Sequence, residues 1–296
     1  MIRRLGWAVL IAGLTLSGLG TATASAAAEC ADYHWIGAAG SGQRDAAGLA
    51  TNGGMGGVVY QSYLQLRDEL AASGLTIDAE AVQYPAAPVP LDGGLGGWMG
   101  FMDSVKAGTA ATAKQYTAFT KACPATKVVL AGYSQGAMVV HRNLASLADA
   151  PNVAAVLLVA DGDRLPGDTT IDMGTTATPS PATLASTASA VSSSDASVPD
   201  AGKGVAQEHS FLASAPTSTL PPAMGAKTVS VCDVHDPVCD YDSDTELTPA
   251  TLAIHTSYAP TVSGPHAWVA PLYQLAMSAG ANTEPSTALT LSTHGS

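Results

Sequence analysis

The chain predicts an α/β architecture in three layers, with a mostly parallel sheet held between helices on both faces. Two short runs, 127–131 and 153–160, are rich in β-branched and apolar residues, the composition of strands buried on both sides. Stretches with apolar residues at helical spacing separate such runs, and Gly and Pro punctuate the joins.

Residues 33–38 are read as the first strand, running into a Gly-rich turn at Ala39-Gly40-Ser41-Gly42-Gln43. Residues 58–72 carry helical spacing, and Gly74 stands where a C-cap glycine belongs. Residues 75–84 alternate as a second strand, stopped by Pro85, Pro88 and Pro90. Gly93, Gly94, Gly96 and Gly97 form an approach to a helix over 98–121. After the 127–131 strand, 137–148 is helical by pattern, 153–160 a strand, and 228–231 a further strand. From 169 to about 222 Ser, Thr, Ala and Pro dominate with little periodicity. That composition reads as a long excursion or partly disordered loop, with a lid over a site as the sharper expectation. No internal repeat is visible.

The N-terminus fixes an expected compartment. Arg3 and Arg4 precede a short apolar run, followed by Ala24-Ser25-Ala26 and Ala26-Ala27-Ala28 as cleavage sites. This order is that of a secretory signal peptide over 1–28, since the run is shorter than the roughly 20 residues of a spanning helix. A secreted domain over 29–282 and a flexible tail over 283–296 are expected, with no stable membrane span. Nothing in the chain demands an oligomer, so a monomer is expected. Lys and Arg number 12 against 24 Asp and Glu, a net charge of −12. Such a surface repels phosphate backbones, so no nucleic acid is expected as partner.

Cys30, Cys123, Cys232 and Cys239 are an even set in an oxidising compartment. Three pairings are open, and spacing favours a small loop between Cys232 and Cys239, leaving Cys30 for Cys123. A bridge of the latter span stabilises by roughly 4–5 kcal/mol in the loop-entropy model. No CxxC pair or flanking His pattern supports a metal instead. The acids from Asp240 to Glu246 resemble part of a calcium loop but lack its central Gly and terminal Glu.

Gly132-Tyr133-Ser134-Gln135-Gly136 matches G-x-S-x-G. The pentapeptide alone is weak in a chain this rich in Gly and Ser. Its setting, between a strand and a helix, is what a nucleophile elbow requires to lift Ser134 above the sheet. A serine hydroxyl needs a histidine base and an acid to orient it, and in this fold they follow in the order acid, then His. Asp236, between Cys232 and Cys239, is the leading acid, with Asp233, Asp161 and Asp163 as rivals. His255 is the leading base, with His266 the rival and His209 and His235 weaker ones. His34 and His141 are expected to be packed or solvated. The amide of Gln135 is an oxyanion donor by construction of the elbow, and Ser41 is the candidate for a second.

The block from Cys123 to Ala137, ending Leu130-Ala131-Gly132-Tyr133-Ser134-Gln135-Gly136-Ala137, resembles the elbow block of the cutinase family. Cys232-x-x-x-Asp236-x-x-Cys239 followed by His255-x-x-Tyr258 is similar to that family's acid loop and histidine block. Cys30 and Ser41 also stand where cutinases carry theirs. The resemblance runs in separate blocks from Cys30 to about Gly280. It implies an α/β-hydrolase fold and Ser134, Asp236 and His255 as triad. It also implies Ser41 and Gln135 as oxyanion hole, bridges Cys30–Cys123 and Cys232–Cys239, and no metal or organic cofactor. Two departures stand out. The family's first turn reads Arg-Gly-Ser/Thr-x-Glu where this chain has Ala39 and Gln43, and the stretch before Cys232 is long. The expected activity is hydrolysis of aliphatic carboxylic esters (a cutin-like polyester, a lipid or a soluble ester). Acetylxylan esterase, phospholipase or lipase action and a non-catalytic secreted binding protein are the alternatives.

Overall fold

A computed structural model describes residues 30–91, 94–177, 202–209, 211–212, 219–242 and 247–281. The expected signal segment 1–28, residues 178–201 of the Ser/Thr/Pro stretch and the tail 283–296 lie outside the described residues.

Among the described residues six strands form one all-parallel sheet: β1 (Tyr33–Ala38), β2 (Ile77–Ala81), β3 (Lys127–Tyr133), β4 (Val153–Val159), β5 (Ile171–Met173) and β6 (Thr228–Val231), in the order β2-β1-β3-β4-β6-β5. Side-chain alternation splits the strands between two cores. Trp35, Val129, Ala131, Leu157 and Val159 face one side, packing beneath α2 (Gly57–Ala72) and the C-terminal helix, residues Val269–Ala281. Ile36, Val128, Leu130, Val156 and Leu158 face the other, under α3 (Gly94–Ala122) and α4 (Gln135–Leu144). Every residue of β4 is buried, which is why its sequence is apolar without a polar face. This is the α/β-hydrolase layering expected from the sequence.

The boundaries differ in instructive places. The helix after the elbow starts at Gln135 instead of 137, because Ser134 is itself the N-cap, and it ends at Leu144 instead of 148. The long helix starts at Gly94, so its glycines join the first turns instead of merely leading to them. Strand β2 is confined to 77–81. Elements α1 (Ala46–Thr51), α5 (Val205–Glu208), α6 (Pro222–Gly225) and α7 (Pro249–His255), like β5, are too short for periodicity to reveal. The helix Val269–Ala281, α8, completes the set. The 169–222 stretch is therefore not uniformly irregular: β5 extends the sheet beside β6, and α5 lies within it.

Two disulfides are present. Cys30–Cys123, 93 residues apart, ties the chain ahead of β1 to the end of α3. Cys232–Cys239, seven apart, closes the loop after β6. Among the described residues no helix is long and apolar enough to cross a membrane.

Candidate active site

Strand β3 and helix α4 meet at Ser134, whose backbone takes φ 53° and ψ −120°. A non-glycine residue there costs of order 1–3 kcal/mol, which the surrounding packing must sustain. Close packing explains the two elbow glycines. A Cβ on Gly132 would meet the Gly136 carbonyl, and one on Gly136 would meet the carbonyl oxygens of Ala38 and Ala39. The turn thus presses against the end of β1, bringing the loop that holds Ser41 beside the serine.

The carboxylate arrives from the far side of β4, two strands from β3 in the sheet. Asp236 lies in the disulfide-closed loop after β6 and is fully buried. A carboxylate there must be compensated by donors. Its Oδ1 accepts the Val238 N–H at 2.7 Å and the Cys239 N–H at 3.3 Å, and its Oδ2 accepts the Tyr258 hydroxyl at 2.8 Å. His255, the last residue of α7, sets Nδ1 at 3.0 Å from both carboxylate oxygens and Nε2 at 2.9 Å from Ser134 Oγ. A carboxylate only accepts, so Nδ1 carries the ring proton and Nε2 turns a lone pair toward the hydroxyl. That is the arrangement needed to take the serine proton.

Two tyrosines brace this row. Tyr133 stacks on the imidazole with centroids 5.4 Å apart, and its hydroxyl donates to the His255 carbonyl at 2.6 Å. Tyr258 accepts the Asp233 N–H at 2.8 Å while donating to Asp236. Burial, and then the charge of Asp236, push both phenols well above their ordinary ionisation range, so both remain O–H donors.

Ser41 sits on a tight loop after β1. The Gln43 side chain accepts the Gly40 N–H at 3.0 Å, Gly42 donates to the Ala86 carbonyl at 2.7 Å, and the Tyr84 hydroxyl donates to the Ala39 carbonyl. Gly42 takes φ 73°, and a Cβ on Gly40 would strike the Tyr133 ring. The Gln135 side chain donates to the Ala87 carbonyl at 3.2 Å, tying the elbow to the same region. Ser41, Ser134, Gln135 and His255 all line one cavity of about 480 Å³, whose other walls are largely apolar.

A family model described as Cutinase matches residues 29–271. The chain belongs to the cutinase family. It is 36% identical over 126 residues to a cutinase of Botryotinia fuckeliana, a match covering 42% of this chain and 56% of that protein. It therefore spans little more than half of that relative's length. The catalytic core domain of acetyl xylan esterase from Trichoderma reesei is similar in structure, with a TM-score of 0.51 and 22% identity, covering 84% of this chain and 99% of that one. A cutinase-like protein from Cryptococcus sp. gives a TM-score of 0.51 at 17% identity, covering 86% and 96%. These two likenesses establish the shared fold.

In this cutinase-family chain the rival acids and bases pair with one another away from the serine. His266 Nε2 is 2.7 Å from Asp233 Oδ2, and its ring stacks on Tyr258. His141 Nδ1 is 2.5 Å from Asp161 Oδ2, and Arg142 grips Asp163. His34 lies between Asp78 and Glu80 and stacks on Phe119. His235 is exposed at φ 66°. His209 does line the cavity, with Nε2 3.0 Å from the Tyr241 hydroxyl. Both oxygens of Asp240 cap backbone amides, of Gly202 and His235, and Asp242 is the last described residue of that acidic run before 247. No group of three or more His, Cys, Asp or Glu fit to hold a metal occurs among the described residues.

Sequence reasoning assigned no role to Tyr133 or Tyr258. The only available signal was position, next to Ser134 and three after His255. Ala39 and Gln43 replace the charged residues of the family's first turn, yet a neutral Gln43 oxygen still fastens the loop through the Gly40 amide.

Proposed function

We propose that this chain is a secreted serine esterase that cleaves aliphatic carboxylic esters through an acyl-enzyme on Ser134. The observation that carries the reading is the unbroken row Ser134 Oγ, His255 and Asp236, at 2.9 and 3.0 Å, opening onto an apolar cavity. Ser134 Oγ attacks the ester carbonyl carbon while His255 Nε2 takes its proton. The carbonyl oxygen gains the negative charge, which the Gln135 N–H and Ser41 receive in this reading; both residues line the cavity. Collapse of that intermediate breaks the ester C–O bond, and His255 returns the proton to the departing alcohol. Water then repeats the sequence on the acyl-enzyme, releasing the acid and restoring Ser134. Asp236 holds the His255 tautomer and stabilises the imidazolium.

The N-terminal basic and apolar segment, with two disulfides, supports export of a domain beginning near Glu29. The size and apolarity of the cavity favour aliphatic acyl groups over acetyl groups on a carbohydrate. Replacement Ser134→Ala tests the reading. The variant folds and turns over a p-nitrophenyl ester at least about 10³-fold more slowly, whereas wild-type rates would remove the proposal.

A further inference from the structure

One wall of the cavity comes from the stretch that interrupts the sheet. Val205, His209, Phe211 and Leu212 line it, and of these Leu212 is buried while Phe211 is exposed at the rim. This wall is hung on polar bonds to the loop that follows β4. Gly204 N–H donates to the Arg164 carbonyl at 2.8 Å and Ala206 N–H to the Gly162 carbonyl at 2.9 Å. Gln207 Nε2 donates to the Asp163 carbonyl at 2.7 Å, and Arg164 Nη1 to the Gly202 carbonyl at 2.6 Å.

The fastening continues into α4. Arg142 Nε and Nη2 fork onto Asp163 at 2.6 and 3.0 Å, and Nη2 also donates to the Leu212 carbonyl at 2.7 Å. Asp163 is inaccessible and the Arg142 side chain is only 9% exposed. A forked guanidinium–carboxylate pair is the most directional ion pair available to a protein. Next to it, His141 holds Asp161, whose Oδ1 accepts the Asp163 N–H at 3.0 Å. Helix α4 therefore begins at the nucleophile and, two turns on, grips the wall. The distance from Ser134 to the apolar wall is set through one rigid element.

We propose that Arg142 is a positioning residue for acyl-chain selectivity: through Asp163 and the Leu212 carbonyl it fixes the wall of residues 204–209 and 211–212 against which an apolar acyl chain lies. This rests on the esterase reading above and extends it to how the cavity chooses its substrate. Arg142 is not among the residues lining the cavity, so its effect passes through the wall. An acetyl group extends only one methyl beyond the carbonyl carbon bonded to Ser134, so it depends little on the wall. A medium-length chain depends on it.

The test compares Arg142→Lys and Arg142→Met with wild type on p-nitrophenyl acetate and octanoate. Lysine keeps a charge for Asp163 but has one nitrogen in place of the fork, so it remains informative where methionine fails to fold. The octanoate-to-acetate ratio of kcat/KM falls about ten-fold in the lysine variant, mostly through a higher KM for octanoate, while kcat on acetate stays within about two-fold. An unchanged ratio, or equal losses on both esters, overturns the proposal. A second arm measures binding of a fluorescent fatty acid to Ser134→Ala protein with and without Arg142→Lys. It is expected to weaken about ten-fold, and equal binding overturns the clamp. A wild-type protein that hydrolyses neither ester defeats the esterase reading alone, and the binding arm still judges the clamp.

Discussion

Tyr258 shows how much of the site depends on a residue that never touches the serine. Its hydroxyl bridges the Asp233 amide and Asp236 Oδ2, so it aims the carboxylate whose two oxygens face His255 Nδ1. A hydrogen bond to a charged group contributes about 1.5–3 kcal/mol. Tyr258→Phe is accordingly expected to lower kcat on a p-nitrophenyl ester by roughly ten-fold with KM within about two-fold, because the loss falls on the imidazolium formed in the transition state. Steady-state kinetics decide it, and an unaltered kcat would show that the two backbone amides on Oδ1 suffice to hold the acid. The same scale explains how an uncharged Gln43 can fasten the loop after β1. The loop needs an acceptor for the Gly40 amide, and an amide oxygen supplies one without a buried charge.

Among the elements, helix α4 is the one on which the site is built. It receives the chain from β3 through a turn closed by Gly132 and Gly136, both excluded from carrying a side chain by carbonyl oxygens. That turn was legible because its chemistry is local: a buried strand, a short pentapeptide, a helix. The contact of Asp236 with His255 was foreshadowed in a similar way, since a small disulfide loop and a chain order marked these two residues as candidates. Other features depend on distant partners. The three-residue β5 exists because β6 offers it an edge, with Met173 paired to Val231. The wall at 204–209 and 211–212 is held by Arg142 on the Leu212 carbonyl and by Arg164 on the Gly202 carbonyl just ahead of it, and a Ser/Thr/Pro composition cannot announce that. His209 and Tyr241, 32 residues apart, meet in the cavity for similar reasons.

Over the whole molecule, buried charge makes stability depend on pH. Burial alone would lower the pKa of His141. The charge and hydrogen bond of Asp161, aided by Asp163 and Asp168, outweigh it and raise the group to about 9. The folded protein therefore holds a proton that the unfolded chain releases near 6.5. This stabilisation is complete below that value and disappears as pH rises through about 9. Thermal unfolding followed by circular dichroism should show the melting midpoint falling between about pH 7 and 10, with the fall largely absent in His141→Gln. A flat wild-type profile over that range would mean that the Asp161 pairing does not hold the proton. The network concerned is the one joining α4 to the cavity wall, so alkaline conditions are expected to loosen the wall before the sheet.

At the centre of the account is a single activated hydroxyl. Treating the folded protein with a fluorophosphonate and mapping the adduct by peptide mass spectrometry tests it most directly. The expected result is one phosphonyl group on Ser134, strongly slowed by His255→Ala. A folded protein that takes up no label, or takes it on another residue, would contradict the account.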